Sequence, residues 1–215
     1  CTAAKMAIDM AGLKPGSFDP LRAGTIIGVG VGGLDEMEKA SITIHERGPM
    51  AVHPLIIPRI ISNEAPGNIA MMFNLQGPCL CITTACSSGT DAIVVAADAI
   101  RSGRADIVIT GGTESAISPL AVGGFTRLTA LTTAFNDTPE KASRPFDKDR
   151  SGFVMGEGAG LVRWYASHVM APPAYSQIIF APRCFACSYS SKIKTPAPSP
   201  ITNPERSLSN GRLAF

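Results

Sequence analysis

The spacing of apolar positions predicts alternating helices and strands over the first half of the chain. Helical spacing covers Ala3–Leu13, Leu34–Glu46, Asn68–Phe73 and residues 88–101, and short apolar runs predict buried strands at Thr25–Val29, from Cys79, and at Ile107–Thr110. The strand from Cys79, the helix of residues 88–101 and the strand Ile107–Thr110 follow one another along the chain. This order predicts a parallel crossover. The sequence therefore predicts an α/β protein.

Prolines modify this pattern at two places. Residues 48–58 contain three prolines, which favour an extended segment between helices. Pro66 precedes the third predicted helix, and proline is tolerated only near a helix start. We therefore expect that helix to begin at Pro66.

Cys86 lies where the cysteine-containing strand passes into the helix of residues 88–101. Free backbone N–H groups and the positive end of the helix dipole meet at such a turn and favour a negatively charged sulfur. Ser87-Ser88-Gly89 follows directly, and its small side chains allow a substrate to approach closely. We predict that Cys86 is a nucleophile; the alternative, a small buried residue, fits Cys79 and Cys81, which share one strand face.

The glycines at 28, 30, 32 and 33 satisfy the G-x-G-x-x-G pattern between a strand and a helix. A dinucleotide site would also need an acidic residue about twenty positions further on, whereas residues 48–58 supply glycine, prolines and His53. The glycines therefore indicate a tight turn and close packing. No nicotinamide or flavin cofactor is expected.

Composition divides the 215 residues into two parts. Residues 1–163 are rich in glycine and slightly acidic, whereas 164–215 are basic, rich in proline and serine and without periodicity. The net charge of +2 argues neither for nor against nucleic acid, which we do not expect as a partner. No apolar run is long enough to cross a membrane, and no signal peptide is visible. The first residue is Cys, so we expect the natural start to be missing.

The six cysteines do not form a disulfide framework, since three cluster around one strand. Cys184 and Cys187 form a single C-x-x-C pair, which is weak evidence for zinc, and we predict no metal site. The three histidines are isolated in sequence, and each fits a surface or satisfied core position better than a catalytic base.

At these motifs the chain resembles the β-ketoacyl-acyl-carrier-protein synthases, the thiolase-fold condensing enzymes of fatty-acid and polyketide synthesis, in the order typical of the elongating type. The matching segments are Gly28–Leu34, Gly77-Pro78, Thr84–Gly89, Gly103–Asp106, Gly111–Glu114, Gly123–Phe125, Ser143–Asp147 and Asp149–Gly160. The resemblance runs from residue 1 to about Val162. It implies the N-terminal half of a thiolase-like fold, a mixed but mostly parallel sheet covered by helices, in a domain of residues 1–163 that is followed by an irregular tail.

The resemblance implies that Cys86 accepts an acyl group as a thioester and that its own N–H is one of two oxyanion-hole donors. A malonyl thioester on acyl carrier protein would then decarboxylate and lengthen the chain by two carbons. Ile61 and Phe125 would line the acyl pocket, with plain core packing as the alternative for both. Arg59 and Arg127 are the candidates for carrier-protein docking.

The resemblance also implies a homodimer, whose interface lies close to the strand before the nucleophile. It implies a location in the cytoplasm or in an organelle that makes fatty acids. The family's two catalytic histidines, a lysine and the second oxyanion amide belong to a second half whose His-Gly-Thr and Gly-His motifs do not occur in these 215 residues. We therefore expect this chain alone not to condense. Alternatives are a ketosynthase domain cut from a multidomain synthase, and a non-catalytic acyl-binding or dimerisation module.

Overall fold

The structure is a computed structural model that describes residues 1–165. The predicted tail, His168 and the pair Cys184 and Cys187 lie outside the described residues. The helices are α1 (Thr2–Met10), α2 (Leu34–Arg47), α3 (Ile56–Ile60), α4 (Glu64–Phe73), α5 (Ser88–Arg101) and α6 (Pro119–Arg127). The strands are β1 (Ala23–Gly28), β2 (Cys79–Ile82), β3 (Ile107–Glu114) and β4 (Gly158–Tyr165).

The four strands form one sheet in the order β2-β1-β3-β4. β1 pairs in parallel with both β2 and β3, with Thr25 opposite Cys79 on one side and Ile109 on the other. β4 runs antiparallel to β3. The sheet is thus mixed and mostly parallel, as predicted, and the carboxyl ends of β1, β2 and β3 meet at one edge.

Helices cover both faces of this sheet. Successive side chains of a strand point to opposite faces, so Ile26 and Ile27 of β1 lie in different cores. The first core joins β1 and β3 to α5 through Ile26, Ala92, Ala96, Ala99, Ile100 and Val108. The second joins them to α1 and α4 through Ala4, Ala7, Ile8, Ile27, Ile69 and Ile109. The three layers account for the apolar sequences of β1 and β3, which are buried on both sides.

An ion pair holds the opposite, amino edge of the sheet. The guanidinium of Arg22, just before β1, donates from Nε to Asp106 Oδ2 at 2.7 Å and from Nη2 to Asp106 Oδ1 at 2.6 Å. It also donates to the carbonyl of Gly103 at 3.0 Å. Arg22 lowers the pKa of the Asp106 carboxyl. The Gly103–Asp106 motif is thus a structural connection, far from Cys86.

Glycines let the first turn of α5 lie directly against the sheet. A Cβ at Gly28 would lie 2.2 Å from the carbonyl carbon and oxygen of Ser88, and one at Gly112 would lie 3.2 Å from the Cα of Gly89. The backbone of α5 therefore touches the carboxyl ends of β1 and β3 without intervening side chains. This contact fixes where α5 begins.

The prediction of a buried β2 is wrong. Cys79 and Leu80 are exposed, with 40% of Leu80 accessible, and Cys81 and Ile82 are half-buried. The reason is position: β2 is the edge strand of the described sheet and pairs only with β1. Cys79 is therefore not the small buried residue that its strand position suggested.

The extended segment predicted for residues 48–58 is also wrong. It contains a 3₁₀ turn, Pro49–Ala51, and the short helix α3, with Pro58 as its third residue. α4 begins at Glu64, two residues before the predicted start, so Pro66 lies in its first turn. The same reason applies to Pro49, Pro58 and Pro66. The first N–H groups of a helix have no intrahelical acceptor, so a proline in the first turn loses no hydrogen bond.

The strands after α5 differ from those that periodicity indicated. β3 continues through Gly111–Glu114, and β4, which the sequence pattern did not predict, pairs with the whole of it. Glycine is unfavourable inside strands, which is why these segments lack a strand signal. β4 runs through Trp164 and Tyr165, two residues beyond the boundary predicted at 163, and Trp164 packs against the core that α5 shares with the sheet.

Replacing Gly28 with alanine tests the contact between α5 and the sheet. The added Cβ would overlap the Ser88 backbone, so we expect Gly28→Ala to lower the free energy of unfolding by about 2–3 kcal/mol. Urea denaturation measures this. Gly123→Ala is the matched control, because its Cβ meets no atom within 4 Å in an exposed part of α6, and it should raise stability by about 0.5–1 kcal/mol. Equal urea midpoints for the two variants would contradict this account.

Candidate active site at the carboxyl edge of the sheet

Cys86 occupies the connection between β2 and α5. β2 ends at Ile82, a single 3₁₀ turn covers Ala85–Ser87, and α5 begins at Ser88. The structure thus places Cys86 on the strand-to-helix turn that the sequence predicts. Cys86 is exposed, and it stands beside the first turn of α5, where backbone N–H groups lack intrahelical acceptors.

The backbone of this turn is strained at Ala85. Its φ of +53° lies in the left-handed region, which costs a residue with a Cβ about 1–2 kcal/mol. The Ser88 hydroxyl bridges this residue: Ser88 Oγ accepts from the N–H of Thr84 at 2.9 Å and donates to the carbonyl of Ala85 at 2.6 Å. Ser88 is 3% exposed and lies on Gly28. The strained turn is therefore anchored through a buried hydroxyl to the sheet.

Asp91, in the first turn of α5, makes a second connection to the turn. Its Oδ2 atom accepts hydrogen bonds from the hydroxyl of Thr84 and from that of Ser87, the latter at 2.8 Å. These two hydroxyls lower the pKa of the Asp91 carboxyl, the Thr84 hydroxyl contributing most. Asp91 therefore stays ionised at neutral pH.

The glycine-rich loop after β1 binds a carboxylate of the protein itself. Glu114, the last residue of β3, accepts from the N–H groups of Gly30 at 2.7 Å and Val31 at 2.9 Å through Oε2, and from Gly32 at 3.4 Å through Oε1. In a dinucleotide site such N–H groups would face a pyrophosphate. Here they face Glu114, which agrees with the predicted structural role of the glycines.

The same loop is adjacent to the turn that carries Cys86. The ideal Cβ position of Gly30 lies 3.7 Å from the carbonyl oxygen of Ala85. Val31, which the sequence analysis did not single out, is 49% exposed in this loop. The sequence predicted neither the contact of Glu114 with this loop nor the contact of Asp91 with the Cys86 turn. Glu114 is more than eighty residues from the loop in sequence, and the Asp91 contacts depend on the local conformation of the turn.

A second carboxylate orders the loop that follows β3. Glu157 Oε1 accepts from the hydroxyl of Ser115 and from the N–H of Ile117, both at 3.0 Å. This loop leads into α6, whose first turn is capped by the hydroxyl of Ser118. The two glutamates of the glycine-rich motifs thus hold the loops of the carboxyl edge in place.

The two predicted pocket residues lie on elements of this edge. Ile61 directly follows α3, whose end contacts the glycine loop, since a Cβ at Gly33 would lie 2.4 Å from the carbonyl oxygen of Arg59. Phe125 lies on α6 and packs edge-to-face on Phe153 at 5.2 Å between ring centroids. Ile61 is 40% exposed and Phe125 is 37% exposed. Neither is a buried core residue in the described part of the chain.

The two predicted docking residues differ in their partners. Arg59 Nη1 lies 3.2 Å from Glu36 Oε2 and forms an ion pair with it. Arg127, at the end of α6, is exposed, and its side chain makes no hydrogen bond or ion pair with any residue of the described range. Arg127 is therefore the more available of the two cations.

Two further thiols, those of Cys79 and Cys81, lie on β2 and have raised pKa values. Partial burial raises the pKa of the Cys79 thiol, although the residue as a whole is exposed. Burial also raises the pKa of Cys81, and the nearby Glu114 carboxylate adds to the effect. Both thiols will therefore be mostly protonated at neutral pH.

The described histidines do not lie on the Cys86 turn. His45 is exposed on α2, and the Nδ1 atom of His53 accepts a hydrogen bond from the N–H of Leu55 at 3.0 Å.

An apolar cavity of about 210 Å³ lies at the amino edge of the sheet, between Ile8, Phe18, Leu75 and Ile107. Within residues 1–165 no helix is long and apolar enough to cross a bilayer, and no acidic, histidine or cysteine groups cluster as a metal site.

Comparison with known families assigns the chain. The family model described as "Beta-ketoacyl synthase, N-terminal domain" matches residues 1–163. The chain belongs to the β-ketoacyl synthase family.

Curated relatives within the family are named as condensing enzymes. The chain is 47% identical over 161 residues to 3-oxoacyl-[acyl-carrier-protein] synthase 2 of Rhizobium meliloti (strain 1021), covering 74% of this chain and 38% of that protein. It is 41% identical over 162 residues to the mitochondrial 3-oxoacyl-[acyl-carrier-protein] synthase of Arabidopsis thaliana, covering 75% and 35%. The chain thus spans well under half the length of these relatives.

Solved ketosynthases share the fold. One is a ketosynthase bound to the hexaketide and in complex with its type II polyketide acyl-carrier protein, with a TM-score of 0.72 and 30% identity over 78% of this chain and 43% of that one. Another is a β-ketoacyl synthase from Burkholderia phymatum, with a TM-score of 0.69 and 29% identity over 79% of this chain and 41% of that one. The thiolase-like fold expected from the sequence is confirmed.

Removing Glu114 tests how this β-ketoacyl synthase chain holds its glycine loop. We expect Glu114→Ala to accelerate hydrogen exchange at the amides of Gly30 and Val31 by at least about tenfold, because charge-assisted hydrogen bonds are lost. Exchange followed by mass spectrometry of the peptide containing residues 28–34 measures this. Glu140→Ala, at an exposed glutamate beyond α6, is the control. If the two variants exchange alike, Glu114 does not order the loop.

Proposed function

We propose that the chain carries the acyl-accepting half of a β-ketoacyl synthase site, with Cys86 as the nucleophile, in fatty-acid or polyketide chain elongation. The observation that supports this best is the position of Cys86: it is exposed, on a strained turn at a helix start, at the carboxyl ends of the three parallel strands. Ligands of α/β proteins bind at that edge. The relatives named as 3-oxoacyl-[acyl-carrier-protein] synthases favour fatty-acid elongation.

In the proposed first step the Cys86 thiolate attacks the carbonyl carbon of an acyl thioester on acyl carrier protein. A bond forms between Cys86 Sγ and that carbon, and the carbonyl oxygen becomes an oxyanion near the N–H of Cys86. The oxyanion then collapses and breaks the bond to the carrier sulfur, which leaves with the proton that Cys86 gave up. Cysteine suits this step because it is both a strong nucleophile and a competent leaving group.

In the second step a malonyl thioester loses carbon dioxide, and the electron pair of the broken bond stays on the α-carbon. That carbon attacks the acyl-cysteine carbonyl, and the bond to Cys86 Sγ breaks to return the thiolate. The product is a 3-ketoacyl chain two carbons longer on the carrier protein. Electrostatic stabilisation of the enolate-like charge is usually the largest catalytic contribution to such steps.

We propose that the 215-residue chain performs only the first step by itself. None of its three histidines stands in a His-Gly-Thr or Gly-His sequence, and the two in the described range lie on other elements than the Cys86 turn. The enolate-like charge of the second step then lacks its stabilising donors. Self-acylation at Cys86 does not require them.

Ile61 and Phe125 are proposed to contact the acyl chain, since both are partly exposed on elements of the Cys86 edge. The same contact with the acyl chain is proposed for Val31, which lies in the loop adjacent to the Cys86 turn. The homodimer stays a prediction; the outer edge of β2, exposed in the described part of the chain, is the surface that the resemblance assigns to it.

Incubation with an acyl-carrier thioester tests the nucleophile. We expect intact-mass analysis to show one acyl adduct and peptide mapping to place it on Cys86, because Cys86 is exposed on the turn at the start of α5. Burial raises the pKa values of the Cys79 and Cys81 thiols, which disfavours their reaction. Cys86→Ala should abolish the adduct, and Cys79→Ala should not. After addition of malonyl carrier protein we expect no 3-ketoacyl product. An adduct shared among the cysteines would refute the nucleophile, and a 3-ketoacyl product would refute the restriction to the first step.

Reversing the charge of Arg127 tests carrier-protein docking. Carrier proteins are acidic partners in the resemblance, so we expect Arg127→Glu to slow acylation of Cys86 from acyl carrier protein by about tenfold at low salt, and less at high salt. Acylation from a small thioester without the carrier protein should not change. Arg104→Glu, at the amino edge after α5, is the control. Equal slowing with both donors would show that Arg127 acts on the site and not on docking.

A further inference from the structure

The turn that presents Cys86 is held by hydrogen bonds more than by packing. Thr84, Ala85, Cys86 and Ser87 are all exposed, so the hydrophobic cores do not fix their positions. The left-handed conformation of Ala85 persists in a protein only where surrounding contacts impose it. The contacts that bridge this turn therefore decide how Cys86 is presented.

Asp91 connects the two residues that flank the strained part of the turn. The hydroxyl of Thr84, two residues before Cys86, and that of Ser87, one residue after it, both donate to the same atom, Asp91 Oδ2. Ser87 Oγ also lies 2.9 Å from the carbonyl oxygen and 3.0 Å from the hydroxyl oxygen of Thr84. One carboxylate oxygen thus closes the turn around Cys86.

Asp91 itself is held in a fixed position. It lies in the first turn of α5, which the glycine contacts place against β1 and β3. A carboxylate is also favourable at a helix N-terminus because of the helix dipole. Asp91 therefore transmits the fixed position of the helix to the exposed turn.

We infer that Asp91 is a positioning residue for Cys86: its Oδ2 atom keeps the sulfur and the N–H of Cys86 in the relative orientation that acyl transfer requires. This rests on the proposed function, in which both groups act on one thioester carbonyl. Asp91 is not a proton carrier in this role, because its carboxyl is ionised and both hydrogen bonds to it are donated by its partners. Its contribution is to the alignment of the oxyanion donor with the nucleophile.

Two reactions of the same thiol separate alignment from general stability. Acyl transfer from a thioester passes through an oxyanion and needs the N–H of Cys86 in place. Alkylation by iodoacetamide displaces iodide at carbon, forms no oxyanion and needs only an accessible thiolate. A loss of alignment slows the first reaction and leaves the second unchanged, whereas unfolding changes the alkylation of all the cysteines.

The test compares Asp91→Ala with Asp91→Asn in the full 215-residue chain. We expect Asp91→Ala to acylate at Cys86 about tenfold more slowly than the wild type, because both hydrogen bonds that close the turn are lost. Asp91→Asn keeps one oxygen that can accept both hydroxyls, and we expect it to recover most of the rate. Iodoacetamide should modify Cys86 at the same rate in all three proteins.

Two further variants keep the test decisive. Asp98→Ala removes an exposed carboxylate from the same helix, where it pairs with Arg101, and should behave as the wild type. Thr84→Val removes one of the two hydroxyls without changing the side-chain shape, and should slow acylation even if Asp91→Ala does not fold. Combined with Asp91→Ala it should add little, because both changes break the same contact.

The outcomes distinguish this inference from the function on which it rests. If the wild type forms no acyl adduct at Cys86, the proposed function fails and the inference with it. If the wild type is acylated and both Asp91→Ala and Thr84→Val are acylated at its rate, the inference alone is overturned. It is also overturned if Asp91→Asn is as slow as Asp91→Ala, since charge and not the shared oxygen would then be responsible.

Discussion

The direct backbone contact between the first turn of α5 and the carboxyl ends of β1 and β3 is the constraint on which the site depends. It exists because Gly28, Gly89 and Gly112 have no side chains at the points where the elements touch. Any Cβ at Gly28 would move the helix away from the sheet. With the helix start fixed, Ser88 and Asp91 have fixed positions from which to hold the turn that carries Cys86.

Polar side chains complete what the glycine contacts begin. Ser88 and Asp91 hold the turn from the helix side, and Glu114 orders the neighbouring glycine loop from the end of β3. The N–H groups that could bind a phosphate in another α/β protein are here satisfied by a carboxylate of the chain itself. Thus one sequence pattern, glycines between a strand and a helix, serves packing and loop order here.

This arrangement gives the family likeness a physical meaning. The segments that match the β-ketoacyl synthases include the three glycines that set the closest contacts, Ser88 on the turn and Glu114 on the loop. Asp91 lies two residues beyond the segment Thr84–Gly89. Cys86 is exposed between them, whereas burial raises the pKa values of Cys79 and Cys81 one strand earlier. The difference in position between Cys86 and these two thiols follows from where the edge strand ends and the helix begins.

The sequence by itself determined the α/β class, the parallel crossover, the helix of residues 88–101 and the turn at Cys86, because these depend on local periodicity and on glycine at element boundaries. It did not determine that β2 is an exposed edge strand, that residues 48–58 contain short helices, or that β4 joins the sheet. The order of the strands makes β2 an edge strand, and the tolerance of proline in first turns allows the short helices of residues 48–58. Pairing with β3 brings β4 into the sheet. Only the tertiary structure brought Glu114 to the glycine loop and Asp91 to the two hydroxyls beside Cys86, since Glu114 bonds residues more than eighty positions away and the Asp91 contacts need the left-handed turn at Ala85.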